Sequence, residues 1–137
     1  MKKRLVALFM SFLLLICFET SAYAALPEVV EPLWNNISTV SHTLNFNTSP
    51  ANSYASIIGK SGTTNITGTL NVYKQTSSGW TLVGHDYDTT TTDVLAFYVE
   101  FDAEPGAYYQ SVLNFSVTIN GVVEPETLYE FATCPTN

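Results

Sequence analysis

The chain holds two imidazoles, His42 and His85, so a Ser-His-acid triad would have to use one of them. Serines are plentiful but no G-x-S-x-G elbow accompanies them, and His42 falls in the parity of an apolar run, Val40, Leu44 and Phe46, where a packed or edge histidine is expected. His85 is followed by Asp86, Asp88 and Asp93, the one polar cluster with the composition of a site. Asp86 and Asp88 share a strand parity, and hard calcium ions want several oxygen ligands. EF-hand spacing is missing, however, and acidic loops on exported surfaces are ordinarily just solvated. These three aspartates stand as weak metal candidates, with no metal, no cofactor and no catalytic residue assigned. Glycosidases also pair carboxylates, at separations that the sequence does not disclose.

Aromatic side chains offer binding rather than catalysis. Trp34, Trp80 and Tyr87, with Tyr98 and Tyr108, combine flat apolar faces with polar edges, which suits stacking against sugar rings. The competing reading places Trp80 at the start of a core strand, as the inter-sheet tryptophan of an immunoglobulin-type sandwich.

The elements that would position these residues read as strands. Val40, His42, Leu44 and Phe46 alternate with Thr39, Ser41, Thr43 and Asn45 in the first. A second is predicted over 53–59, a third over 65–74, a fourth over 80–87 and a fifth over 93–102. The sixth sets Tyr109, Leu113, Phe115, Val117 and Ile119 against Gln110, Asn114, Ser116 and Thr118. Asn120-Gly121 then supplies a type I′ hairpin turn. The seventh strand is expected to be interrupted at Pro125, which lacks a ladder donor and suits an edge or a bulge, and to resume over 127–133. Tyr108 or Tyr109, following Pro105-Gly106, resembles the tyrosine that ties a corner in such sandwiches. The expected fold is all-β: an immunoglobulin- or fibronectin III-like antiparallel β-sandwich of about seven strands, occupying 37–133.

Ahead of it stands a segment of a different kind. Lys2, Lys3 and Arg4 precede an apolar run from Leu5 to Phe18, and Ala22-Tyr23-Ala24 closes it with small residues. That is the grammar of a secretory signal peptide, 1–24, a signal helix cleaved after Ala24. Residues 25–36, with Pro27 and Pro32, form an extended N-terminal segment. Removing 24 of 137 residues leaves 113, enough for one core. No later stretch reaches the roughly 20 apolar residues of a membrane span.

Cleavage also alters the charge. The whole chain carries −7, but the exported part keeps only Lys60 and Lys74 against eleven carboxylates, a net −9. Such a surface repels phosphate backbones and anionic lipid, which disfavours nucleic acid and membrane partners. Cys17 leaves with the signal, so Cys134 has no partner within the exported chain. It is an inert thiol in a monomer or one half of a covalent dimer.

The stretch Ala55 to Leu70, with its Gly59-Lys60-Ser61-Gly62 turn, followed by Tyr73-Lys74 and Gly79-Trp80, resembles uncharacterised small secreted β-sandwich proteins of Gram-positive bacteria. The likeness extends loosely from Asn36 to Phe131. It implies the fold and an exported lineage, and carries no known activity. Relatives often hold a cysteine near the position of Tyr54, which this chain lacks, so the resemblance implies no disulfide here. The expected role is a secreted or cell-envelope, non-enzymatic module that contacts a protein or glycan. The alternatives are a carbohydrate-binding module using exposed aromatics and a small secreted hydrolase using His85.

Overall fold

The computed structural model describes residues 33–136. The expected signal peptide and most of the extended segment lie outside the described residues. Within them the period-two patterns become seven strands: β1 (Ile37–Asn45), β2 (Ala51–Gly59), β3 (Thr63–Thr76), β4 (Gly79–Thr90), β5 (Val94–Phe101), β6 (Tyr108–Ile119) and β7 (Val122–Thr133). They pair antiparallel in two sheets, β1-β2-β5 and β4-β3-β6-β7. In a constant-type immunoglobulin domain the fourth strand joins the sheet of the first. Here it pairs with the third, the three-plus-four division of the fibronectin III kind.

Alternation sends one parity of each central strand into the space between the sheets. Ala55, Ile57, Leu95, Phe97 and Val99 meet Ile66, Leu70, Val72, Leu113 and Val117 there, all buried. Each fully buried aliphatic or phenyl side chain stabilises the fold by roughly 1.5–3 kcal/mol. Leu113 is wholly enclosed on the central strand β6, so Leu113→Ala would open the core at its middle.

The corners use specific chemistry. Asn120 and Gly121 both take positive φ, 51° and 78°, and join β6 to β7 as the type I′ turn demands. Tyr109 is fully buried, and its hydroxyl accepts the Glu104 backbone N–H at 2.8 Å. Of the two tyrosines that open β6, Tyr109 therefore ties the corner and Tyr108 points outward. β7 is not interrupted at Pro125 as the sequence suggested. The strand runs unbroken, with Pro125 opposite Ser116, because β7 is an edge with a neighbour on one side only and tolerates a missing donor.

The start of the sandwich is clamped. Glu124 of β7 accepts the backbone N–H groups of Asn35 at 2.8 Å and Asn36 at 2.5 Å. The Asn36 side chain donates to the carbonyls of Val117 and Val122 at 3.0 and 2.9 Å. Partial burial pushes the Glu124 carboxyl upward, but the backbone donors of Asn35, Asn36 and Ile37 and the charge of Lys60 outweigh it and hold the group below its ordinary range.

One irregularity reorganises a face. Along the β3–β4 ladder Val72 pairs with Gly84 and Tyr73 with Leu82, which leaves Val83 as an extra residue, a β-bulge. Val83 packs on the core, and Gly84 lies so close to β5 that a Cβ there would stand 2.5 Å from Val99 Cγ1. The bulge switches the parity of β4.

Candidate functional site

Tyr73 and Gln75 belong to the parity of β3 that faces away from the core, so their partners Leu82 and Trp80 face outward too. Beyond the bulge the outward residues of β4 become odd-numbered, and His85 and Tyr87 stand opposite Asn71 and Thr69. In a regular strand Trp80 and Tyr87 would lie on opposite faces. The extra Val83 brings them onto one.

Reading across β3, β6 and β7 at the same parity builds this outer face row by row. Leu82, Tyr73, Gln110 and Phe131 make one row, and His85, Asn71, Val112 and Tyr129 the next. At the Trp80 end the side chains are aromatic. Trp80 lies 5.9 Å from Tyr108 and 6.5 Å from Phe131 between ring centroids. Tyr108 and Phe131 are within 15° of parallel at 6.2 Å, and Phe131 and Tyr129 within 14° at 6.3 Å. The four rings form a continuous strip over three strands, and all stay accessible, with Trp80 42 % exposed. Trp80 is thus not an inter-sheet core residue. It sits at the start of an edge strand whose neighbour β3 supplies the buried side chains.

Beyond the aromatic end the face becomes a field of hydroxyls and amides. Tyr87, Thr69, Asn114 and Thr127 form one row, Thr89, Thr67, Ser116 and Pro125 another. Thr127 Oγ1 donates to Asn114 Oδ1 at 2.8 Å, which fixes that amide and leaves its NH₂ pointing to solvent chemistry. Thr67 Oγ1 reaches Tyr87 Oη at 3.5 Å. A shallow depression of about 560 Å³ runs over Thr67, Thr69, Tyr87, Asn114 and Thr127, and Glu126 also contributes to its lining.

The charges avoid this face. Among the described residues no Asp, Glu, Lys or Arg occupies its outward parity on any of the four strands. Glu124, Glu126 and Glu130 take the other parity of β7, as do Asp86 and Asp88 on β4. The two lysines are engaged elsewhere: Lys74 pairs with Glu104, and Lys60 Nζ donates to the Trp34 carbonyl at 2.5 Å.

The other residues singled out by sequence disperse. Trp34 packs against the core beside the start of β1, apart from the aromatic strip. Tyr98 lies on the opposite sheet, across from Tyr54. Asp93 falls in the link between β4 and β5, and His85 stands on the face opposite to Asp86 and Asp88, so the tempting cluster is divided by the strand itself. Among the described residues no three His, Cys, Asp or Glu side chains converge as a metal site.

His42 is packed, and its contacts specify a protonation state. Its Nε2 lies 2.8 Å from Ser111 Oγ, Ser111 Oγ lies 2.7 Å from Ser53 Oγ, and Ser53 Oγ donates to the Thr43 carbonyl at 3.0 Å. Because Ser53 spends its proton on that carbonyl, Ser111 donates to Ser53 and must accept from His42, which places the imidazole proton on Nε2. Nδ1 is then a bare acceptor, buried without a partner. Burial pushes the imidazole from 6.5 down to about 4. Ser111 is wholly buried, so this Ser-His contact offers no nucleophile to a substrate.

Sequence reasoning missed Phe131 and Tyr129. Their shared parity in 127–133 was a usable signal, but nothing in the chain said that β7 would lie beside β6 with Tyr108 and Trp80 within reach. No protein-family model, curated protein or solved structure matches the chain.

Proposed function

We propose that the protein is an exported, non-enzymatic contact module whose working surface is the outer face of the β4-β3-β6-β7 sheet. One observation carries this reading: a face with no formal charge, topped by four accessible aromatic rings, in a domain of strongly acidic composition. Solvated sheet faces ordinarily carry charges, and their absence at the centre with aromatic enrichment and a charged margin is the anatomy of a recognition surface. Export rests on the basic, apolar and small-residue order of residues 2–24. The hydrolase alternative loses its support, since His85 is separated from the carboxylates that would have oriented it.

The test uses the protein secreted from the full chain and sedimented with isolated bacterial envelopes. Tyr129→Lys puts an ammonium into the face at an exposed position, and Tyr98→Lys does the same on the other sheet. Loss of co-sedimentation with Tyr129→Lys alone supports the reading. Equal behaviour of both variants and the parent protein refutes it.

A further inference from the structure

The two halves of the face differ in a way that specifies the ligand, and from this we infer that it binds a neutral polysaccharide, laid from the aromatic strip across the hydroxyl field. This rests on the contact-face reading above. The strip alone would suit a protein partner, but the adjoining half would not. Thr67, Thr69, Asn114 and Thr127 place hydroxyl and amide groups densely on neighbouring strands. A protein seated there would desolvate them and leave many unpaired, at a cost for each. A sugar brings hydroxyls of its own, which donate and accept along its whole edge, while its C–H faces suit aromatic rings.

The charge distribution narrows the class further. Anionic glycans, phosphates and nucleic acid need Lys or Arg, and the two lysines among the described residues are committed to Glu104 and the Trp34 carbonyl. The surrounding carboxylates would repel such ligands. They would also repel a second copy of this acidic domain. The site's form agrees: its volume falls in the range of roughly 300–1,000 Å³ typical of small-ligand sites, and it is open and shallow rather than enclosed.

Affinity electrophoresis of the secreted protein through gels containing xylan, mannan, β-glucan or glycol chitin, with heparin and polygalacturonate as anionic comparators, tests the inference. Retardation by at least one neutral polymer is expected, weakened about tenfold or more in Trp80→Ala, Phe131→Ala and Asn114→Ala, and unchanged in Tyr98→Ala. Thermal melts verify that each variant is folded. Mobility unaffected by every neutral polymer, equal retardation of all variants, or stronger retardation by an anionic polymer would overturn it. If the neutral polymers fail while Tyr129→Lys still abolishes envelope binding, the contact face stands and its partner is a protein. If that variant also has no effect, both readings fall.

Discussion

Acidification should destabilise the sandwich through His42. In the folded state the ring is neutral, with its proton on Nε2 facing Ser111 and with Nδ1 buried against no acceptor. A second proton would have to enter at Nδ1, and burial lowers the imidazole from 6.5 to about 4. The unfolded chain takes up that proton near 6.5 and the folded chain only near 4, so stability is complete above 6.5 and is lost as pH falls between the two values. At full value the gap corresponds to roughly 3 kcal/mol, and solvent screening of this partly accessible ring reduces it to about 1–2 kcal/mol. Glu124 acts in a lower window, because its depressed carboxyl contributes stability above the ordinary carboxylate value of about 4 and loses it only on further acidification. Urea unfolding followed by tryptophan fluorescence between about pH 8 and pH 4 measures the slope. His42→Gln keeps an N–H for Ser111 and removes the titration, and should flatten the profile in this window. A His42→Gln profile parallel to that of the parent protein would show that the imidazole takes up its proton equally in both states, and the reasoning would fail.

Three further outcomes follow from the geometry. Tyr109→Phe deletes the acceptor of the Glu104 N–H in a buried corner and should cost about 1–3 kcal/mol, read as a lowered urea midpoint with an unchanged slope. Gly84→Ala pushes a methyl group to 2.5 Å from Val99 Cγ1, where a stiff, buried side chain cannot swing aside, and should destabilise by about 1–3 kcal/mol; a melting temperature equal to the parent's would disprove that close approach. Cys134 is 8 % exposed, and its backbone is tied to Ala107 and Gly106, so the protein should run as a monomer on non-reducing gels, with no dimer band.

The sandwich was legible because alternation survives wherever a strand is buried on one side. In β6 every second residue from Tyr109 to Val117 is buried, as its pattern demanded, and Asn120-Gly121 marked the hairpin that follows. Ser111 broke the apolar series without breaking the parity, because His42 and Ser53 satisfy it. What could not be read were the places where two strands must be compared. Pro125 marked β7 as an edge or a bulge, and the edge is found, but it also suggested an interruption because the sequence does not say that the ladder survives one missing donor. Trp80 and Tyr87 could not be placed on one face because nothing local marks the bulge between them, and the Val83-Gly84 pair carries no strong turn signal.

That bulge connects the fold to its proposed use. A one-residue change of phase moves every subsequent side chain to the other face of a strand. With a regular β4, the residues beyond Val83 would turn over relative to Trp80 and Leu82, and Asp86 and Asp88 would share the outer face with the tryptophan. The extra residue instead sends His85, Tyr87 and Thr89 outward and the two aspartates to the other parity. The uncharged character of the face therefore depends on Val83 being taken up as a bulge, beside a Gly84 that has no room for a side chain against β5. Deleting Val83 removes the extra residue itself, so Trp80 and Leu82 keep their partners and His85, Tyr87 and Thr89 keep theirs in a ladder without a bulge. The aromatic strip and the hydroxyl field then keep their residues, so protein that still folds without Val83 should retain binding, and loss of binding in such protein would refute Val83 as the extra residue.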